Sequence, residues 1–298
     1  MLYAVIDIGS NAARLLFANA TVIDDEIFVE KASLIRIPLR LGKDVFSKGK
    51  VSKKRTGDFV KTMMAYKLLI DVYKPRDYRV LATAALREAE NAGQIVKKVK
   101  KETGLEINII SGRREAEIIK TTNKIDLEDP SIPVVFIDVG GGSTEISVEI
   151  NGNTVQLRSF KIGTLRYLNN DYADNVCQEI FDWLADIKRK YPKIQCVGSG
   201  GNINKINKLY GNSETKVLLV RQLRHSWEQL SELTVEERMS RYGFRRDRAD
   251  VIVPAAFIYL KILDYLEVDN IIVPKIGLAD GMVHILHAEY LNAQSASG

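Results

Sequence analysis

The sequence has only two cysteines, Cys177 and Cys196, among its 298 residues. Two thiols cannot build a network of disulfides, and they are too few for a zinc site with four cysteine ligands. Cys196 lies in the apolar run 194–197, and we expect both thiols to pack in the core. No stretch approaches 18 consecutive apolar residues, which argues against a membrane span.

Motifs of several common enzyme classes are also missing. No Lys-Ser or Lys-Thr pair follows a glycine-rich turn, as a P-loop would require. In Gly198-Ser199-Gly200 the serine stands one place too early for the elbow of a serine esterase. His284 and His287 have a spacing that suits a metal pair, but they lack a third ligand, so we expect them to pack.

Length and composition indicate an ordinary globular protein. Hydrophobic residues make up 46% and charged residues 27% of the chain, and its length favours two domains. A net charge of +5 favours polyanionic partners, but the basic clusters lack interleaved aromatic residues, so we expect no nucleic-acid partner. The chain starts directly with strand-like residues, and we expect a cytoplasmic protein without a membrane partner.

Two segments of the sequence predict the same structure, a hairpin with an aspartate at the start of its turn. The predicted strands are Leu2–Ile8, Arg14–Ala20, Val134–Val139 and Glu145–Ile150. Asp7 and Asp138 occupy equivalent positions 131 residues apart. We infer an internal duplication that gives two domains.

The remaining segments alternate between strands and helices, which predicts an α/β fold. Further strands are expected at 78–82, 105–110 and 194–197, and helices at 89–102, 113–124, 173–190, 222–233, 248–266 and 278–291. The polar, proline-bearing segment 124–133 predicts the crossing between the domains.

The second turn, Gly140–Thr144, has the composition of a phosphate-binding loop. Glycines such as Gly141 and Gly142 let backbone N–H groups converge on an anion, and the hydroxyls of Ser143 and Thr144 add donors. The other interpretation is a tight glycine hairpin without a ligand.

The first turn is a weaker signal that gains its meaning from the second. Ser10 and Asn11 form a polar turn that any hairpin can use, and Arg14 is placed either to bind a phosphate or to lie at a strand edge. Two such hairpins in equivalent positions predict a phosphate site in a cleft between domains. The run Gly198–Gly201, which includes Gly200, follows a strand and precedes a helix, where a phosphate can also bind.

Acidic residues beside these turns are candidates for metal binding and catalysis. Asp138 and Glu145 bracket the second turn and predict a Mg²⁺ site, unless Glu145 is an exposed strand carboxylate. Glu115 and Glu117 open the helix after Ser111, where the helix dipole alone favours negative charge.

Taken in order, these motifs resemble the exopolyphosphatase and guanosine pentaphosphate phosphohydrolase family, a branch of the acetate kinase, hsp70 and actin superfamily. The resemblance is carried by Asp7-Ile8-Gly9-Ser10-Asn11 with Arg14, Ala82-Thr83-Ala84-Ala85-Leu86-Arg87, Ile109-Ile110-Ser111-Gly112 with Glu115-Ala116, Asp138 to Glu145, Gly198 to Gly201, and Asp247-Arg248-Ala249-Asp250. It extends over nearly the full chain.

The resemblance implies two ribonuclease H-like, actin-like domains with an interdomain cleft. They would comprise residues 1–125 and 126–278, with the C-terminal helix 279–298 joining the first domain. It further implies that Glu115 is the general base that activates water and that Arg87 binds phosphate. The expected substrate is inorganic polyphosphate or guanosine pentaphosphate, and the expected cofactor is Mg²⁺.

Several residues depart from the family pattern, and two other functions stay open. Ala12 replaces a serine, Arg114 and Glu117 invert the usual charges beside Glu115, and Asn202 replaces a threonine. One alternative is a polyphosphate phosphotransferase with ADP as acceptor. The other is a non-catalytic sensor of guanosine tetra- or pentaphosphate. A homodimer is compatible with all three functions.

Overall fold

The structure is a computed structural model that describes residues 1–122, 131–170, 175–212 and 214–296. Two compact units divide the chain: Met1–Asn123 together with Ile276–Gly298, and Lys124–Lys275. The boundary predicted between residues 125 and 126 lies outside the described residues, as does most of the predicted crossing at 124–133.

The first unit begins with three antiparallel strands, followed by alternating helices and strands. Its strands are β1 (Leu2–Ile8), β2 (Ala13–Ile23), β3 (Glu26–Ile37), β4 (Asp77–Ala82) and β5 (Ile107–Ile109). The helices up to this point are α1 (Leu41–Lys48), α2 (Lys53–Tyr73), α3 (Ala84–Glu88), α4 (Ala92–Thr103) and α5 (Gly112–Lys120). The strands form one sheet in the order β3-β2-β1-β4-β5, with β1, β4 and β5 parallel.

The second unit repeats this plan. Its strands are β6 (Val134–Val139), β7 (Thr144–Ile150), β8 (Asn153–Phe160), β9 (Gln195–Ser199), β10 (Val217–Leu219) and β11 (Asn270–Ile272). Its helices are α6 (Thr164–Leu168), α7 (Val176–Lys190), α8 (Gly201–Tyr210), α9 (Val220–Ser231), α10 (Val235–Tyr242), α11 (Arg246–Ala249) and α12 (Ile252–Leu266). The C-terminal helix α13 (Leu278–Ser295) belongs to the first unit.

The two sheets share one strand order, which confirms the predicted α/β fold with a ribonuclease H-like sheet in each unit. In the second sheet the order is β10-β11-β9-β6-β7-β8, with β6, β7 and β8 antiparallel and β6, β9 and β11 parallel. The sheet therefore matches the first one strand for strand and adds β10 beyond the last parallel strand.

Burial follows the position of each strand in its sheet. The central strand β1 is apolar on both faces and is almost wholly buried, as a strand covered by helices on both sides should be. On one face, Tyr3, Val5 and Leu16 pack with residues of α5 and α13. In the second unit, β6 and β7 pack against α7 and α12 in one continuous apolar core.

One predicted helix starts later in the structure than expected, and another is divided. The helix expected at 89–102 is α4, which starts at Ala92, and the short helix α3 precedes it. The helix expected at 248–266 is split into α11 and α12. Pro254 explains this division, because it has no N–H to bond the carbonyl four residues earlier and is tolerated only in a first helical turn.

Candidate active site

The first turn is closed by its own backbone and fastened to the helix that follows the third strand. Gly9 N–H donates to the carbonyl of Ala12 at 3.0 Å. The carbonyls of Ser10 and Asn11 accept from the N–H groups of Gly42 and Arg40, each at 2.9 Å, at the start of α1. The tip of the hairpin therefore has its carbonyl groups occupied by the unit itself.

Arg14, predicted to bind phosphate, lies beside this turn in an ion pair. It faces Asp7 across β1 and β2, and its Nη1 lies 2.7 Å from Asp7 Oδ2. The carboxylate holds the guanidinium in a fixed orientation next to Ser10 and Asn11.

The second turn has the same construction, and one more of its carbonyl groups accepts a hydrogen bond from the helix that follows the third strand. Gly140 N–H donates to the carbonyl of Ser143 at 2.9 Å. At the start of α6, Thr164 N–H donates to the carbonyl of Gly140 at 3.0 Å and Leu165 N–H to that of Gly141 at 2.8 Å. The remaining carbonyl, of Gly142, accepts from the side-chain Nε of the buried Arg166 at 2.6 Å.

The donors that this turn can present to an anion are its N–H groups. Within the described part of the chain, no backbone carbonyl accepts from the N–H of Gly141, Gly142 or Ser143. The Ser143 hydroxyl donates to Glu145, and the Thr144 hydroxyl donates to the carbonyl of Ile162 at 2.7 Å. The two hydroxyls predicted as phosphate donors therefore support the turn, and the donors that it can offer an anion are those of its backbone.

Gly163 and Arg166 are the residues of this site that the sequence did not identify. A side chain on Gly163 would place its Cβ 2.6 Å from the carbonyl carbon of Gly141 and 2.6 Å from the nitrogen of Gly142. Only glycine lets the start of α6 approach the turn this closely. The sequence signal is one glycine just ahead of a five-residue helix, which is too common to identify.

Asp138 and Glu145 face each other across β6 and β7, beside the second turn. A carboxylate oxygen of one lies within 4.8 Å of a carboxylate oxygen of the other. Glu145 is buried, and its Oε1 accepts from Ser143 Oγ at 2.7 Å and from Ser159 Oγ at 2.8 Å. The interpretation of Glu145 as an exposed carboxylate is therefore wrong. Two adjacent acids, one buried and one half-buried, suit a hard divalent cation with oxygen ligands.

The third glycine run closes against this acidic pair. Helix α8 begins at Gly201, and Gly200 precedes it with φ 107°. A Cβ at Gly200 would lie 3.0 Å from Asp138 Oδ1.

Tyr259 joins β6 and β9 beside this run by donating to the carbonyls of Ile137 and Ser199. Burial first, and then the charge of Asp138, raise the pKa of Tyr259 well above 10.0, so the phenol stays a donor.

Glu115 and Arg87, predicted separately, lie together in the first unit. Glu115 stands in the first turn of α5, which Ser111 caps by accepting from the N–H of Arg114 at 3.1 Å. Arg87 Nη1 lies 3.7 Å from Glu115 Oε2 and donates to the carbonyl of Ile110 at 2.9 Å. The carboxylate is mostly buried and has a fixed cation beside it.

The inverted charges beside Glu115 neutralise one another. Glu117 accepts from Arg113 Nε at 3.1 Å and from Arg114 Nη1 at 3.3 Å, and all three side chains are exposed. Arg114 and Glu117, the two residues that depart from the family pattern, therefore bind each other on the surface of α5.

Comparison with known proteins identifies the family to which the sequence is similar. The sequence profile of the Ppx/GppA phosphatase family matches residues 31–288. The bifunctional 3-dehydroquinate synthase/phosphatase of Fusobacterium nucleatum is 28% identical over 92% of this chain and 45% of its own length. The chain thus spans less than half the length of that relative.

The described part of the chain contains no helix with the length and apolar character that a membrane span requires.

Solved structures with the same fold include two relatives of nearly equal length. The Ppx/GppA family member of Aquifex aeolicus is 27% identical, with a TM-score of 0.74 over 97% of this chain and 98% of that one. An exopolyphosphatase from Cytophaga hutchinsonii superposes with a TM-score of 0.80 over 96% and 97% of the two chains. At 20% identity the second comparison shows a shared fold.

Proposed function

The chain belongs to the Ppx/GppA phosphatase family, and we propose that it hydrolyses the terminal phosphoanhydride bond of inorganic polyphosphate or of guanosine pentaphosphate. The observation that carries this proposal is the second turn. Its carbonyls are bonded to α6, which leaves the N–H groups of Gly141, Gly142 and Ser143 as the donors for a phosphoryl group. Rigid donors of this kind stabilise developing negative charge without reorganising during the reaction.

We propose that Asp138 and Glu145 bind Mg²⁺. The pair offers oxygen ligands beside the cradle, and the hydroxyls of Ser143 and Ser159 hold Glu145 in place. Once bound, the ion supplies positive charge to the phosphoryl oxygens. The protein's own contribution is the orientation of the two carboxylates before the ion arrives.

We assign the role of general base to Glu115. Its carboxylate is mostly shielded from water and is oriented by the first turn of α5 and by Arg87. Accepting a proton from the attacking water is a function that a positioned glutamate performs well, and general-base catalysis typically contributes about 10²- to 10⁴-fold to a rate. The remainder of the rate enhancement would come from charge stabilisation and alignment.

The direct test is phosphate release from short polyphosphate, long polyphosphate and guanosine pentaphosphate, each with and without Mg²⁺. We expect Glu115→Gln to lower kcat by about 10²- to 10⁴-fold. Glu117→Gln is the matched control, since Glu117 lies two residues further along α5 in exposed ion pairs, and we expect it to change the rate by less than about twofold. Equal rates for wild type and Glu115→Gln would remove Glu115 from the mechanism.

Two further arms decide between hydrolysis and the other functions. ADP is added to the polyphosphate reaction, and ATP formation that exceeds phosphate release would replace the hydrolase by a phosphotransferase. Calorimetry with guanosine tetra- and pentaphosphate measures binding independently of turnover. Tight binding with no phosphate released from any substrate would establish a sensor.

A further inference from the structure

The ion pair of Asp7 and Arg14 continues into a longer row of charged residues on the first sheet. Arg36 on β3 stands directly opposite Arg14 on β2, which stands opposite Asp7 on β1. Residues directly opposite each other in a sheet point to the same face. This charged row therefore runs across three neighbouring strands at the height of the first turn.

A one-residue irregularity in the ladder is what brings Arg36 into the row. The register of β2 and β3 shifts between Phe17 and Ala18. If the pairing of the hairpin tip continued without this bulge, Ile35 would lie opposite Arg14, and Arg36 would point to the other face. Bulges often re-aim a side chain at functional sites.

Arg40, at the start of α1, adds a third arginine at the same end of the sheet. Its backbone N–H donates to the carbonyl of Asn11 at the tip of the first turn. Its φ of 53° is left-handed, a conformation that suits glycine and costs most other residues about 1 kcal/mol or more. The Nε atoms of both Arg36 and Arg40 are shielded from solvent.

The charged row lies on the face of the sheet that carries Glu115. Tyr3, Val5 and Asp7 are every second residue of β1, and Tyr3 and Val5 pack with α5 and α13. Since side chains alternate along a strand, Asp7 and Arg14 share that face with α5, which carries Glu115. Arginines are thus placed on the same side of the sheet as the general base assigned above.

We propose that Arg14, Arg36 and Arg40 form a binding site for the phosphates that precede the terminal one in a polyphosphate chain. This inference rests on the proposed function and adds to it a requirement for at least three linked phosphates. Guanidinium groups match phosphate oxygens through paired N–H donors, and each linked phosphate brings a further negative charge. A free tripolyphosphate and the triphosphate end of guanosine pentaphosphate share this chemistry.

The sharpest test is Arg40→Gly. Glycine adopts the left-handed conformation freely, and this gain offsets the loss of side-chain contacts, so the variant should melt close to the temperature of wild type. It should nevertheless bind inorganic tripolyphosphate about 10- to 100-fold more weakly, as expected when a charged hydrogen bond is lost. Binding is measured by calorimetry and by the ligand-induced rise in melting temperature, without divalent ions, so that no turnover is needed. A variant that is less stable but binds normally would show a purely structural role.

Arg36 provides a second, independent test. Arg36→Gln should weaken tripolyphosphate binding about 10- to 100-fold. The affinity of Arg36→Lys should lie between those of Arg36→Gln and wild type, because lysine keeps the charge but not the paired donors. Arg79→Gln is the matched control: Arg79 lies on β4 of the same sheet in ion pairs with Asp77 and Glu289, and its loss should leave binding unchanged. Guanosine pentaphosphate is tested in parallel with tripolyphosphate to identify the source of the triphosphate.

The outcomes separate this site from the proposed hydrolysis. Tripolyphosphate binding that depends on Arg36 and Arg40, in a protein that releases no phosphate, would support the site and end the hydrolase proposal. Phosphate release with wild-type affinity in both variants would support hydrolysis and overturn the site. Failure of the wild-type protein to bind tripolyphosphate more tightly than orthophosphate would also overturn it.

Discussion

The hairpin turns of the two units have the same backbone plan and carry opposite charges beside it. The equivalent rows across the first three strands are Asp7, Arg14 and Arg36 in the first unit and Asp138, Glu145 and Ser159 in the second. In both units a bulge in the outer hairpin sets the register, so that the third residue faces the second. In both, the carbonyls of the turn accept from the helix that follows the third strand.

The difference between the rows indicates how two halves with one backbone plan can suit different ions. A turn whose carbonyls are satisfied presents N–H groups, and this depends on backbone geometry that both copies kept. The charge beside the turn depends on single side chains, which are free to diverge. Arginines in the first row suit a phosphate chain, and acids in the second suit a divalent cation.

The largest effect is expected from Gly163→Ala, which attacks the shared backbone plan in the second unit alone. Its methyl group would overlap Gly141 and Gly142, so the turn or the start of α6 must move. Displacing rigid donors is expected to lower phosphate release at least about 100-fold. Overpacking of this kind also typically costs about 1 to 3 kcal/mol of stability. The rate is measured with saturating substrate, and the stability by urea unfolding.

Gly93→Ala is the control for this variant. Gly93 lies on α4 with nothing within 4 Å of a Cβ added there. Alanine in a helix is favoured over glycine by roughly 0.5 to 1 kcal/mol, so Gly93→Ala should keep full activity and gain slight stability. A fully active Gly163→Ala protein would mean that the second turn does not bind the reacting phosphate.

Paired substitutions at the equivalent aspartates test the division of charge directly. We expect Asp138→Asn to raise the Mg²⁺ concentration for half-maximal phosphate release by about 10- to 100-fold, as loss of a metal ligand or its support does. Asp7→Asn should leave that Mg²⁺ concentration unchanged. It should weaken the ion pair with Arg14 and lower the free energy of unfolding by about 1 to 3 kcal/mol. The same Mg²⁺ shift in both variants would contradict the assigned roles.

Removal of the hydroxyl of Ser159 tests the second row at its edge. Ser159 donates to Glu145 Oε1, and its loss leaves one donor, Ser143, on that oxygen. We expect Ser159→Ala to lower the affinity for Mg²⁺ by about 2- to 12-fold, in line with the loss of one hydrogen bond worth about 0.5 to 1.5 kcal/mol. Ser159→Thr keeps the hydroxyl and should restore most of the affinity. An unchanged Mg²⁺ titration for Ser159→Ala would show that Glu145 does not need this support.

The sequence predicted the strands and the acids because these signals are local. Glycine density marks Gly140–Gly142, and alternation marks the strands on either side. The family resemblance also identified Glu115 and Arg87, each within its own short motif. These features can be recognised within a window of a few residues.

Features set by contacts between distant segments could not be predicted. Gly163 and Arg166 lie about 20 residues beyond the turn that they fasten, and nothing local distinguishes them. Arg36 joins the row only through a bulge, and sequence patterns do not fix register to one residue in such a hairpin. The Thr144 hydroxyl looked like a phosphate donor because its acceptor, Ile162, lies beyond the next strand.

The smallest expected effect concerns pH and separates the stabilities of the two units. His287 of α13 is buried in the first unit, where its Nδ1 lies 3.1 Å from the Tyr3 hydroxyl. Burial, and then the charge of the N-terminal ammonium group, lower the pKa of His287 below its usual 6.5. Burial shifts the pKa of His284, one helical turn away, in the same direction.

The unfolded chain therefore binds the His287 proton more tightly than the folded protein does. Its contribution to stability is complete above about pH 6.5 and is lost as the pH falls through the lowered pKa. We expect the melting temperature of the first unit to be lower at about pH 5 than at pH 7. His287→Gln should reduce this difference, by about 2 to 4 °C for each kcal/mol of stability that His287 contributes. His225→Gln, exposed on α9, is the control. Equal pH slopes for wild type and His287→Gln in scanning calorimetry would assign the acid sensitivity to another group.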